Sequence, residues 1–401
     1  MRLAWPSRPF VRATVMAVLC ALFARGARAQ EPSPSPSPSP SPAPEAPPPP
    51  AVTAPPGAEG AGGPSGPLPV YGAGAASGKV FNPDIAVIGD FLGAIGKNDS
   101  PFATPSLELH EAEASFQAIV DPYARADFFL TFSPTEVGVE EGYVTFTSLP
   151  GDFLLKVGKM RASFGKVNQM HNHVMPWTDR PLVTQDLVGG EEGISDAGLS
   201  LSRLIINPVL FLEATAEVYR GVSPDLFVAP RRQDLTYVGR LRGYRDVTES
   251  TNIDFGGSFS RGTSKDEGEG FHTSLIGADL TLRWRPLRRA IYRRFAGRTE
   301  LVWSRRDLKD ATQAHAFGAY ASLEYQFAQR WFAAVRLDRS ERADLPSLVD
   351  KGVSAILTYW PSEFSQVRGQ YRHTNYGEGI KADEFLFQFQ FSIGAHGAHT
   401  F

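Results

Sequence analysis

Two histidines in the stretch MHNH, His171 and His173, are the side chains of this sequence best suited to binding a metal ion. Imidazole nitrogens bind Zn²⁺ and Cu²⁺, and carboxylates often complete such sites. Four acidic residues follow nearby: Asp179, Asp186, Glu191 and Glu192. Their spacing does not select a third ligand, and a structural or solvated role explains two loop histidines more simply. We therefore assign no metal and no cofactor, and keep His171 and His173 only as candidates.

The rest of the chain offers no arrangement of residues for catalysis. No G-x-S-x-G stretch occurs, so no serine is presented as a nucleophile at a strand-to-helix turn. The glycine-spaced stretch GDFLGAIG (89–96) lies in a strand pattern with no helix after it, which excludes a phosphate-binding loop. We expect a protein that is not an enzyme.

β-Strands must position these residues, because an alternating pattern fills the chain from Phe81 to its end. Phenylalanine occupies every second position from Phe385 to Phe391, for example, with mostly polar residues between. About sixteen such segments occur, separated by Gly, Pro, Asp and Asn, and none shows a sustained helical period. No segment after the first 29 residues has the run of about 18 apolar residues that a spanning helix needs.

The number of strands predicts a membrane barrel. Sixteen strands enclose a lumen too wide for side chains to fill, so the polar face must line water and the apolar face must meet lipid. Tight turns such as VDPY, SLPGD and WPSE alternate with longer polar loops. The predicted fold is therefore an all-β, transmembrane antiparallel β-barrel with short periplasmic turns, long outer loops and periplasmic termini. The basic connection RPLRRAIYRRFAG (285–297) is long for a periplasmic turn.

The first 80 residues differ in composition from the rest. Residues 1–29 combine a basic start, a short apolar core and ARA before Gln30, which is typical of a signal peptide. Residues 30–80 are rich in Pro, Ser, Ala and Gly and cannot bury a core, which predicts a disordered tether. The barrel then occupies 81–401.

Charge and cysteine content exclude several classes of function. Removal of the signal peptide with its five arginines leaves 35 basic and 43 acidic residues, a net charge of −8. Nucleic acid is thus not expected as a partner, since phosphate binding needs a basic surface. Cys20, the only cysteine, lies in the signal peptide, so the mature chain has no disulfide and no thiolate site.

The polar faces of the predicted strands carry charges of both signs. Rings of Arg and Lys favour anions in a pore, so a mild anion preference is one hypothesis. The basic residues assigned to the lumen are Arg125, Lys156, Arg240, Arg242, Arg283, Arg285, Arg336, Arg368 and Arg372. The acidic ones are Glu111, Glu113, Asp127, Asp279, Glu300, Glu324 and Asp338.

The segment 160–194 is the longest connection and contains apolar residues, among them Phe164 and Trp177. A long loop with such residues is usually ordered and functional. We expect it to fold into the pore and narrow it. Arg161, Lys166 and Arg180 are the predicted basic groups at this constriction, where they would contact solute as transient partners for anions.

The stretch LKVGKMRASFGK resembles a strand and turn of the phosphate-selective porin O/P superfamily, in which a Gly-(Lys/Gln/Arg)-(Phe/Met)-(Lys/Arg) stretch precedes PFG. The wider pattern, from FNPDIAVIGDF through WTDRPL to FSIGAHGAH, is similar to bacterial outer-membrane proteins often labelled porins or zinc-regulated outer-membrane receptors. The resemblance covers about 81–401 and implies an outer-membrane barrel, with a homotrimer as the implied assembly. Ser163 replaces the proline of the pattern, so phosphate selectivity does not carry over.

The predicted function is an outer-membrane porin of a Gram-negative bacterium for passive diffusion of small hydrophilic solutes. Expected partners are outer-membrane lipid, small solutes or anions, and the barrel assembly machinery, whose recognition signal Phe401 resembles. The alternatives are an outer-membrane protein linked to zinc uptake or binding, and a structural or adhesive barrel without transport. An energised receptor is excluded, because it needs about 22 strands and a folded plug.

Overall fold

The computed structural model describes residues 83–100, 103–133, 136–265, 270–310 and 312–394. The predicted signal peptide (1–29), the predicted tether (30–80) and Phe401 lie outside the described residues. Those three predictions therefore stay predictions.

Sixteen antiparallel strands form one closed barrel, in which β1 pairs with β16 and every other strand pairs with its neighbours in sequence. The prediction of a barrel of about sixteen strands is confirmed. The strands are β1 (Asp84–Asn98), β2 (Leu107–Asp121), β3 (Ala124–Phe132), β4 (Val137–Leu149), β5 (Phe153–Arg161), β6 (Ser195–Ile205), β7 (Phe211–Tyr219), β8 (Thr236–Thr248), β9 (Thr251–Thr263), β10 (His272–Trp284), β11 (Arg294–Asp307), β12 (Gln313–Ala328), β13 (Trp331–Glu341), β14 (Val349–Ser362), β15 (Ser365–Asn375) and β16 (Lys381–Gly394).

In the part of the chain that the structure describes, helical structure occurs only in the connection between β5 and β6. One α-helix, α1 (Leu182–Leu187), follows two 3₁₀ turns, Val167–Gln169 and Asn172–Val174. Among the described residues, no helix is long and apolar enough to cross a membrane.

Alternation along each strand sorts side chains between the two faces of the barrel wall. On β16, the phenylalanines from Phe385 to Phe391 all point outward and are between 38% and 49% exposed. Glu384 and Gln388 point inward and are buried. Gln388 Nε2 donates to Asp90 Oδ1 at 2.9 Å, across the seam where β16 closes on β1. The apolar outer face and polar inner face are those that a lipid-embedded, water-lined barrel requires.

Connections alternate in length around the barrel, as predicted, except that the one between β10 and β11 is longer than the connections on either side of it. At one end, two or three residues join β2 to β3 and β4 to β5, while the other end carries the long segment 162–194. The basic connection between β10 and β11 covers only 285–293. Arg285 lies in it and not on the strand, because β10 ends at Trp284 before Pro286, which cannot donate to a strand ladder. Its predicted place on the lumenal wall is therefore corrected to an exposed position in this turn.

Candidate functional site

The segment 162–194, here called the inner loop, lies inside the barrel and contacts the inner wall on several sides. It begins after Arg161, the last residue of β5, and ends before Ser195, the first of β6. Its residues hydrogen-bond to side chains of β2, β4, β7, β9, β11, β12, β13 and β15. The predicted ordered loop that folds into the pore is therefore present.

Apolar side chains hold the inner loop in place. Phe164, Trp177 and Val183 are at most 1% exposed and belong to a core shared with wall residues such as Tyr320. Trp177 Nε1 donates to Ser322 Oγ at 3.1 Å, and its ring meets that of Tyr320 edge-on with centroids 5.1 Å apart. Each such buried side chain stabilises the docked loop by roughly 1.5–3 kcal/mol.

The first turn of the inner loop binds to β9 and β11. The backbone N–H groups of Lys166 and Val167 both donate to Glu300 Oε1, at 2.8 and 2.7 Å. Gly165 has φ +60°, which strains any larger residue, and a Cβ there would lie 2.7 Å from Glu300 Oε2, so the Glu300 carboxylate that holds the loop would have to shift. Lys166 Nζ lies 2.5 Å from Asp254 Oδ2. Burial lowers the pKa of Lys166 to about 8, against the opposing attraction of Asp254.

The middle of the inner loop binds to four glutamates, Glu111, Glu113, Glu140 and Glu141, here called the acidic cluster. His171 Nδ1 lies 2.6 Å from Glu113 Oε2, and its Nε2 lies 2.8 Å from Glu141 Oε2. His173 is 3% exposed and its ring centroid is 5.6 Å from that of His171. Burial alone would lower the pKa of His171, but Glu140 and hydrogen bonds to the neighbouring glutamates raise it well above its ordinary value.

The next attachment involves three arginines of β13 and β15, here called the arginine cluster: Arg336, Arg368 and Arg372. Asp179, eight positions after His171, binds to Arg336 and Arg372. Asp179 Oδ2 accepts from Arg336 Nη2 and from Arg372 Nη1, each at 2.9 Å, and Gln370 donates to Oδ1. Arg368 Nη1 donates to the carbonyl of Trp177 at 3.0 Å. Burial alone would raise the pKa of Asp179, but the charges of Arg336 and Arg372 outweigh it and lower this pKa to about 2.

Helix α1 completes the docking against β12, β13 and β14. Val183 packs so closely on Gly318 that a Cβ there would lie 2.7 Å from its methyl carbon. The backbone N–H of Leu182 donates to Asp338 Oδ1 at 3.3 Å. Burial, followed by the nearby charge of Asp350, raises the pKa of Asp186 to about 7. One carboxyl of this docking surface therefore titrates near neutral pH.

The three predicted constriction cations are all buried and bonded within the protein. Arg161 Nη2 lies 2.5 Å from Glu140 Oε1, and Lys166 is paired with Asp254. Arg180 is 2% exposed and donates to the backbone carbonyls of Val167 and Met170, at 3.1 and 2.8 Å. Burial, followed by repulsion from Arg161, lowers the pKa of Arg180 to about 9. Their role as solute contacts stays a prediction, and an anion would have to compete with these partners.

Most of the predicted lumenal cations lie on the inner wall beside acidic residues. Inner-wall ion pairs join Arg125 to Asp127 at 2.7 Å, Arg240 to Asp279 at 2.8 Å, Arg242 to Asp254 at 2.9 Å, Arg283 to Asp254 at 3.5 Å, Arg336 to Asp338 at 2.7 Å, and Arg372 to Glu384. Lys156 Nζ lies 4.6 Å from the centre of the Tyr143 ring. Most of these cations are thus paired with acidic side chains of the described strands.

Sequence reasoning missed Glu140 and Glu141 and did not anticipate the partners of His171. The two glutamates are not among the acidic residues assigned to the lumen above, yet β4 begins at Val137 and both are buried on it. Glu113 lies 58 positions before His171. No local spacing signals a contact between residues so far apart; only their shared position in the barrel brings them together.

Comparison with known proteins gives one relative by sequence and several by fold. An uncharacterized protein of Aquifex aeolicus (strain VF5) is 30% identical over 386 residues, which cover 80% of this chain and 81% of that protein. No family model matches the chain, so the resemblance to the phosphate-selective porin superfamily stays a prediction.

Solved structures with the same fold are outer-membrane porins and channels. An anion-selective porin from Comamonas acidovorans superposes with a TM-score of 0.55 at 8% identity, covering 77% of this chain and 98% of the porin. The outer-membrane channel DcaP of Acinetobacter baumannii gives 0.54 at 11% identity, covering 78% and 96%. OprB of Pseudomonas putida gives 0.53 at 10%, covering 78% and 94%. At such identities the similarity shows the fold, an outer-membrane type of β-barrel.

Proposed function

Because the chain belongs to one family with the uncharacterized protein of Aquifex aeolicus and has the fold of outer-membrane porins and channels, we propose that it is an outer-membrane channel for passive diffusion of small hydrophilic solutes. The apolar outer face and polar inner face of the barrel support a place in the outer membrane. Periplasmic termini and assembly into a homotrimer belong to the same proposal.

One observation carries the proposal: a barrel of sixteen strands encloses a space that its own strands cannot fill, and the inner loop occupies it. The inner loop bonds to wall strands from β2 to β15. The inner loop therefore determines the width of the pore. Solute passes through the space between this loop and the wall, or through space that opens when the loop moves.

A mild anion preference is the second part of the proposal. In several inner-wall ion pairs the cation is the more exposed partner. The side chain of Arg125 is 33% exposed against 8% for Asp127, and that of Arg242 is 33% exposed against 0% for Asp254. A solute in the lumenal water therefore meets the cation first, which favours anions electrostatically.

Planar-bilayer recording tests both parts. The purified barrel is expected to insert with stepwise conductance, and a KCl gradient should give a reversal potential of the sign expected for anion preference. Arg125→Gln combined with Arg242→Gln should move the reversal potential towards cations, while Arg231→Gln in the outer connection, where Arg231 pairs with Asp234, should leave it unchanged. A folded barrel that inserts and gives no steps would overturn the channel, and a cation-type reversal potential would overturn the preference.

A further inference from the structure

We propose that the acidic cluster and the inner loop together form a binding site for one divalent transition-metal ion, with Glu113, His171 and His173 as ligands and Glu140 as the fourth. This inference does not depend on the proposed channel function, since the site is a feature of the docked loop alone. No part of it follows from the spacing of MHNH by itself; it follows from the glutamates that the barrel brings to that stretch.

The candidate ligand atoms already lie at distances close to those of a metal site. One atom each from Glu113, His171 and His173 all lie within 4.8 Å of one another. His171 Nδ1 is 2.6 Å from Glu113 Oε2 and 3.2 Å from Glu140 Oε2, and His173 Nδ1 is 3.6 Å from Glu113 Oε2. Ligands bound tetrahedrally at 2.0–2.1 Å stand roughly 3.3 Å apart, so these three separations differ from the tetrahedral spacing by less than about 1 Å.

Charge points to a cation at the same place. Carboxylate oxygens of Glu111, Glu113 and Glu140 lie within 4.8 Å of one another, although like charges repel strongly in a buried site. Arg161 binds Glu140 Oε1 and so compensates one of them. Glu113 is 1% exposed, and its Oε1 accepts no hydrogen bond from any described residue. A buried carboxylate oxygen without a partner is expensive, and a metal ion supplies that partner.

The surroundings of His171 are those that orient a metal-bound imidazole. With Nδ1 directed at the proposed ion, the opposite nitrogen Nε2 donates to Glu141 Oε2 at 2.8 Å. Glu141 is itself held, because its Oε1 accepts the backbone N–H of Arg161 at 2.7 Å. A carboxylate behind a ligating histidine fixes the tautomer and raises the basicity of the ligand. The edge of the Phe129 ring limits rotation of the imidazole, with centroids 5.0 Å apart.

The donor set selects the class of ion. Two imidazoles with one or two carboxylates suit Zn²⁺ and neighbouring divalent transition metals. Ca²⁺ and Mg²⁺ prefer six or more oxygen ligands, and Cu⁺ prefers sulfur. An ion bound here would join three parts of the molecule, with one bond to β2, one to β4 and two to the inner loop.

Zn²⁺ binding to the purified, detergent-folded barrel tests the proposal. After EDTA treatment and dialysis, calorimetric titration with Zn²⁺ should give one ion per chain. Co²⁺ as a probe should give the intense visible absorption of a four-coordinate site with nitrogen ligands. Glu113→Gln combined with His173→Gln should weaken Zn²⁺ binding by at least about 100-fold and abolish the Co²⁺ spectrum.

A matched control is available on β15. His373 also has a carboxylate partner, with Nδ1 2.6 Å from Asp383 Oδ1, but it lies outside the acidic cluster. His373→Gln should leave Zn²⁺ affinity unchanged. If the double variant does not fold, as judged by far-UV circular dichroism, the wild-type stoichiometry and Co²⁺ spectrum decide alone. No stoichiometric binding by the folded wild type, or binding that the folded double variant keeps, would overturn the site and leave His171 as an imidazolium held by glutamates.

Discussion

Two of the places where the inner loop is attached to the wall, the arginine cluster and the acidic cluster, have opposite charge, and they differ in how completely their polar groups are paired. At the arginine cluster, Asp179 is an anion bound by two arginines and a glutamine. At the acidic cluster, His171 faces three glutamates, and Glu113 keeps a buried oxygen to which no described residue donates a hydrogen bond. The first place is a closed set of ion pairs, whereas the second has an excess of negative charge that a cation can fill. Of these two attachments, the first needs no further ion, whereas the second is the place of the proposed metal site.

The largest expected effect comes from the arginine cluster. Asp179→Asn removes the charge that Arg336 and Arg372 share and should destabilise the docked loop by about 3 kcal/mol, because it breaks a buried ion pair. Each arginine keeps a second acid, Asp338 or Glu384, which limits the loss. The channel conductance should rise, and urea unfolding should report the loss of stability.

Asp310→Asn, in the exposed connection between β11 and β12, is the control for Asp179→Asn and should change neither the conductance nor the unfolding free energy. Equal conductance in the two variants would mean that Asp179 does not hold the inner loop in the bore.

A pH titration should separate α1 from both clusters. The pKa of Asp186 is raised to about 7 in the docked loop, by burial and then by Asp350, so docking favours the protonated form. Stability from this group is fully present below about pH 4 and is lost as pH rises through 7. Arg342 and Asp344 also face Asp186, attracting and repelling its charge respectively. Conductance should therefore fall on acidification from pH 7 to 5.

Asp186→Asn should remove this pH dependence and stabilise docking at neutral pH by about 2 kcal/mol, a figure reduced because the side chain is partly exposed. An unchanged pH profile in the variant would assign the titration to another group. Urea unfolding at pH 5 and pH 7 measures the difference.

A single hydrogen bond beside the arginine cluster should have a smaller effect. Trp177→Phe keeps most of the buried ring but loses the bond from Nε1 to Ser322 Oγ, and should cost about 1 kcal/mol in unfolding free energy. Ser322→Ala should give a similar loss, and the double variant should show coupling between the two changes. Strictly additive losses would mean that the bond contributes nothing.

The smallest effect on stability is expected at the acidic cluster. Glu113→Gln, measured in EDTA, should change the unfolding free energy by less than about 1 kcal/mol, since it removes both an attraction to His171 and repulsion within the cluster. His171 keeps Glu140 and Glu141 as partners. A loss as large as that of Asp179→Asn would show that the two attachments are equally rigid.

The strands were predictable from the sequence, whereas the attachments were not. A period of two and an apolar row such as Phe385 to Phe391 are local signals, and the structure confirms the alternation and the outward direction of this row. The burial of Phe164 and Trp177 also followed from their apolar character. Lys166 and Asp254, by contrast, lie 88 positions apart, so no local pattern shows that this lysine already has a partner. The sequence shows which residues are charged, but only the three-dimensional arrangement shows which of these charges are paired with an opposite charge.

The place of the inner loop in the chain has a consequence for the order of folding. The loop lies between β5 and β6, yet Asp179 binds arginines on β13 and β15, 157 and 193 positions further on. Contacts over such separations form late, because the intervening chain must be ordered first. The loop therefore cannot take its final position until the carboxy-terminal strands are in the wall. The loop docks only when the barrel is complete, and until then it does not narrow the lumen.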